Sequence, residues 1–110
     1  MAEERLKSLL EFLKETPQDP FLLYAIATEY RSVSPEKSKE YFVLLIEEFP
    51  DYLPTYYQAA HLLWEMGDVE LAASFFEKGI ALAKRQKETK TLAELQNSYM
   101  NFRIEEDLQD

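Results

Sequence analysis

LPTYYQAAHLLWEMGDVELAASFFEKGIALA, residues Leu53 to Ala83, is the stretch around which the rest of the chain is organised. Tyr56, Ala59, Ala60 and Leu63 recur at i, i+3, i+4 and i+7, the spacing of one buried helical stripe. After Gly67-Asp68 the spacing resumes with Leu71, Ala72, Phe75, Phe76, Gly79, Ile80 and Ala83. Gly67 suits the left-handed position that ends a helix, and Asp68 can cap the next one through its carboxylate. The stretch therefore predicts two amphipathic helices hinged at Gly67-Asp68. Two such helices cannot bury their apolar faces alone, so neighbours are required.

The rest of the chain supplies them. Residues 3 to 15 place Leu6, Leu9, Leu10, Phe12 and Leu13 on one helical face, with Glu3 and Glu4 where the helix dipole favours negative charge. Pro17 stops that helix. Asp19-Pro20 is a start signal, and Pro20 to Arg31 follows with Leu23, Ile26, Ala27 and Tyr30 in register. Moving 33 residues along brings these four onto Tyr56, Ala59, Ala60 and Leu63. Ser34-Pro35 opens a third segment ending near Phe49. A shift of 34 brings its Ser38, Phe42 and Ile46 onto Ala72, Phe76 and Ile80. The first segment repeats the third, because Leu9, Phe12, Leu13 and Pro17 shift onto Phe42, Leu45, Ile46 and Pro50. Past Ala83, Lys84 to Lys90 is polar and basic, a helix end or loop. Thr91-Leu92-Ala93-Glu94 has the form of a capping box, and Leu92, Leu95, Gln96 and Tyr99 repeat the spacing of Leu23, Ile26, Ala27 and Tyr30.

The order aromatic-x2-A-A-x2-L, G-D, A-x3-F-x2-G-I resembles a tetratricopeptide repeat (TPR), with its pattern W-x2-L-G-x2-Y, A-x3-F and P. The resemblance extends over roughly residues 4 to 102. It implies an all-α fold, a TPR-like right-handed superhelix of antiparallel helix pairs with about six helices. The expected organisation is one domain over 1–110, with a half-repeat helix at 3–16, repeats at 20–50 and 53–87, and a closing helix at 91–107. Three units are usually needed for a stable stack, and the flanking half-units meet that need. The chain departs from the pattern at three places. Leu45 and Gln96 stand where a small residue is usual, and Lys84 replaces the terminal proline, so that helix should run further.

Composition narrows the function. The chain is 46% hydrophobic and 14% aromatic, enough for a core and unlike a disordered segment. Its net charge of −9 repels nucleic acid and anionic membranes, which are bound through clustered Lys and Arg. With no cysteine there is neither a disulfide framework nor a thiolate site. No signal-peptide pattern opens the chain and no run reaches ~18 apolar residues, so a cytoplasmic protein is expected. His61, the one histidine, and Glu65 make an incomplete metal site, because zinc takes three or four ligands. The two glycines form no phosphate loop. No catalytic residue, metal or cofactor is expected, and an enzyme is disfavoured.

A second stripe runs beside the core stripe. Tyr57, His61 and Trp64 recur at i, i+4 and i+7. The preceding repeat places Tyr24, Thr28 and Arg31 in the same row, with Phe21 just before them. The closing helix adds Ala93, Asn97 and Met100. In the TPR family first-half helices line a concave face that meets peptides. The resemblance thus implies a peptide-binding groove of Phe21, Tyr24, Thr28, Arg31, Tyr57, His61, Trp64, Asn97 and Met100. The family's basic clamp for acidic C-termini needs Lys, Asn and Arg, whereas this row has Tyr24, Thr28 and Gln58, with Arg31 its only cation. The expected function is an adaptor or scaffold for a protein or peptide partner. The alternative is a structural module whose aromatic surface forms a homo-oligomer.

Overall fold

The computed structural model describes residues 2–108, and everything below concerns these. Six helices follow one another: α1 (Ala2–Glu15), α2 (Pro20–Val33), α3 (Pro35–Glu48), α4 (Pro54–Glu65), α5 (Val69–Gln86) and α6 (Thr89–Glu105). Each packs against the next, and α2 also packs against α4, so successive pairs stack on one another.

The helix boundaries have local causes. Asp19 accepts from the N–H groups of Phe21 and Leu22, Ser34 from Lys37 and Asp68 from Leu71, which satisfies otherwise orphaned donors. Proline stands at the start of α2, α3 and α4, where its missing N–H is not needed. Gly67 adopts φ +85°. The Asp68 N–H then reaches Leu63 O at 2.9 Å, and the Gly67 N–H reaches Trp64 O at 3.0 Å. This paired Schellman closure ends α4. With no proline at 84, α5 continues to Gln86 and closes the same way through Lys87, at φ +60°.

One boundary differs from expectation. The Thr91-x-x-Glu94 box does not cap α6, which already begins at Thr89; the N-cap is Glu88, without a side-chain bond. The left-handed Lys87 turns the chain within one residue, so Leu92 donates to Glu88 O at 2.9 Å and Thr91 lies inside the first turn.

One core runs along the stack. Ala27, Phe42, Leu45, Ala59, Ala60, Leu63, Ala72, Phe76, Leu95 and Phe102 are fully buried in it. At one end Leu6 of α1 closes over Ile26 and Tyr30. Small residues mark the crossings. The buried Ser38 hydroxyl donates to Ala27 O at 2.6 Å, joining α3 to α2. The loop between α3 and α4 is held by the Tyr56 hydroxyl donating to Pro50 O at 2.6 Å, and by Gln86 donating to Asp51 O at 2.8 Å. These bonds hold the start of α4 beside the end of α5.

Candidate functional site: an aromatic row on α4

Helix α4 carries its second stripe as a run of rings. Tyr57 lies 4.5 Å from His61 between centroids, and His61 lies 5.8 Å from Trp64. The run is rooted on the core, since Phe76 meets His61 edge-on at 5.5 Å and Trp64 at 6.4 Å. Tyr57 is the open end, 36% exposed. Trp64 is half-buried. Phe102 meets its ring edge-on at 5.1 Å, and its Nε1 donates to Glu106 Oε2 at 3.0 Å. Phe102 belongs to α6 and Glu106 stands at its C-cap; neither is among the row residues expected from the sequence, although Phe102 lies seven residues after Leu95 and so continues that helix's stripe.

From α2, Arg31 reaches across to α4. One guanidinium nitrogen donates to Gln58 Oε1 at 2.8 Å and the other pairs with Glu65 Oε2 at 2.9 Å. The row's one cation is therefore engaged. Burial pushes the His61 imidazole below its usual pKa, Arg31 adds to that, and Glu65 opposes it. His61 Nε2 is buried without a hydrogen-bond partner. Neutral imidazole is the favoured form here. Among the described residues no group of three or more His, Asp or Glu side chains is placed to hold a metal ion.

The remaining row residues are dispersed. Thr28 donates to Ala25 O on its own helix at 2.9 Å. Tyr24 packs edge-on against Phe42 and against Tyr52, at 6.4 and 5.9 Å. Tyr24 and Tyr57 line a common cavity of about 720 Å³ between the start of α4 and the α5–α6 turn. Asn97 and Met100 line another, of about 740 Å³, with Ile80, Tyr99 and Ile104. Phe21 is 65% exposed and belongs to neither cavity. The structure thus joins Tyr57, His61, Trp64 and Arg31 into one surface, sets Tyr24 beside it, and leaves Phe21, Asn97 and Met100 apart.

Residues 53–86 match the family model for a tetratricopeptide repeat. The solution NMR structure of a tetratricopeptide repeat domain protein from Salinibacter ruber is 31% identical, with a TM-score of 0.74. The match covers 78% of this chain and 88% of that one. This chain belongs to the tetratricopeptide repeat family. A crystal structure of the domain protein from the same organism agrees, at 30% identity and a TM-score of 0.72, over 76% of this chain and 96% of that chain. No curated protein matches the chain. TPR repeats generally mediate protein–protein interaction, and the family is typically a non-enzymatic interaction module. No helix of this TPR chain, among the described residues, is long and apolar enough to cross a membrane.

Proposed function

We propose that this TPR chain is a cytoplasmic adaptor that binds a polypeptide segment along the α4 row, centred on Tyr57, His61 and Trp64. The observation that carries the reading is the continuous ring run, open at Tyr57 and backed by Phe76. Aromatic side chains supply large contact area at small entropic cost and are enriched among binding hot spots. Arg31 is committed to Gln58 and Glu65, so an acidic C-terminus meets no free cation in the row. With a net charge of −9 outside, the favoured ligand is apolar with basic edges, and nucleic acid and anionic membranes are disfavoured.

Tyr57→Ala is the cleanest test, because that ring is partly exposed and its loss spares the core. Partners recovered by affinity purification and mass spectrometry should then be titrated against wild type and variant. The expected result is unchanged circular dichroism with binding weakened by ~2 kcal/mol. Equal affinity for both proteins would remove the row from the interface. Trp64→Ala should reduce binding and melting temperature together, since Phe102 and Glu106 lose their partner.

A second reading, self-association, is favoured by the apolar end of α6, where Met100 and Ile104 are 62% and 70% exposed. Light scattering across a concentration series separates the two. A concentration-independent monomer rules out the oligomer.

A further inference from the structure

We infer that the cavity at the start of α4 takes a cationic side chain, specifically an arginine, from the polypeptide bound along the α4 row. This rests on the polypeptide-binding reading and names the chemistry of its partner. The cavity measures about 720 Å³, and its walls include Tyr24, Tyr52, Tyr57, Asp51, Glu88 and Glu94. No lysine or arginine lines it. Asp51 is already paired with Arg85 at 3.0 Å. The carboxylates of Glu88 and Glu94 carry no hydrogen bond or ion pair of their own, and Glu88 does not cap α6 although it occupies the N-cap position. Two glutamates without a partner and three tyrosines therefore line one cavity.

An opposing field exists. Both α4 and α6 begin at this cavity, and each helix start carries about half a positive charge. Together they equal about one unit, against two full carboxylate charges, so the negative sign survives. Lys87 and Lys90 lie on the same turn but outside the cavity walls. Burial pushes the Tyr24 and Tyr52 phenols above their usual value, so both remain neutral at physiological pH. A neutral phenol ring attracts a cation over its face. Guanidinium is the better match than ammonium. It is planar, weakly hydrated, stacks on aromatic rings and can bond a carboxylate with two parallel N–H groups. The position also fits, because Tyr57 belongs both to the cavity and to the ring run.

The probes are N-acetyl-arginine methylamide, its uncharged citrulline counterpart, and a displayed library of random short peptides. The arginine compound should shift the amide NMR signals of Tyr57, Glu88 and Glu94, and the citrulline compound should not. Library selection should enrich arginine. A selected peptide should bind about tenfold more weakly to Glu88→Gln/Glu94→Gln, both exposed positions, and more weakly as salt rises. Circular dichroism of that variant confirms the fold. Enriched peptides without arginine, or an unchanged affinity for the double variant, would overturn the cation site. If such peptides still depend on Tyr57, the groove reading stands alone. A library that yields no binder, with no shift from the arginine compound, removes both.

Discussion

At position 79 a hydrogen atom stands where any other residue would place a carbon. A β-carbon built there would lie 2.6 Å from Tyr56 Cβ and 3.2 Å from Leu95 Cδ1. Alanine in a helix interior is ordinarily favoured over glycine by ~1 kcal/mol. Here the obstructing atom is fixed to the α4 backbone, so relief requires the helices to part, at about 1–3 kcal/mol. Gly79→Ala should therefore melt below wild type, and Gly79→Leu lower still. A melting temperature at or above wild type would show that α4 and α5 separate freely. His61 gives a second prediction at this scale. Its folded pKa lies below the ordinary 6.5, mainly through burial, so the unfolded chain binds the extra proton first. The contribution to stability is complete above about pH 6.5 and declines as pH falls towards the folded value. His61→Phe removes this dependence together with a buried nitrogen that has no hydrogen-bond partner. Thermal melts at pH 7.5 and 5.5 should show a smaller drop for the variant. Equal drops would exonerate His61.

Among the elements, three helix ends share one device. Gly67, Lys87 and Asp107 all have positive φ, and in each case the next N–H reaches back five residues. At 67 glycine takes that conformation without strain. At 87 and 107 an L-residue with a side chain holds it, at a typical cost of ~1–2 kcal/mol. Lys87→Gly should relieve that strain, and the added freedom of the unfolded chain offsets part of the gain. The expected net effect is a melting temperature raised by a few degrees. A lower one would mean that the lysine side chain contributes to the turn. The same turn explains the idle capping box. Once Lys87 has reversed the chain, α6 starts at Thr89 and Thr91 has no free helix end to serve.

As a whole the molecule is an elongated stack of 44 × 29 × 21 Å with a radius of gyration of 14.3 Å. A compact chain of this length would have about 13 Å. In such a stack each unit relies on its neighbour. Helix α6 covers Gly79 with Leu95 and covers Phe76 and Trp64 with Phe102. Truncation after Gln86 should expose these apolar surfaces and lead to aggregation or dimerisation, visible in light scattering. A truncated chain that stays monomeric with an unchanged melt would show that α6 is dispensable to the stack.

Much of this was determined by the sequence alone, because the causes are local. The i, i+3, i+7 stripe of Tyr56, Ala59 and Leu63, the caps Asp19, Ser34 and Asp68, and the left-handed Gly67 act within one or two turns. Their recurrence at 33 and 34 residues made the helical repeat and its family readable. Gly79 belonged to the same class, since a mid-helix glycine demands a close neighbour even before Tyr56 is known to be that neighbour. Only the tertiary structure decided how the second stripe is shared out. Trp64 meets Phe102 and Glu106 some forty residues later, and Arg31 is taken by Glu65 on another helix. Tyr24 and Tyr57 come to share a cavity with Glu88 and Glu94 because the bonds to Asp51 hold two distant turns together. Residues at the edge of an apolar stripe are covered or left open by how neighbouring helices cross, and that crossing depends on all the contacts of the stack at once.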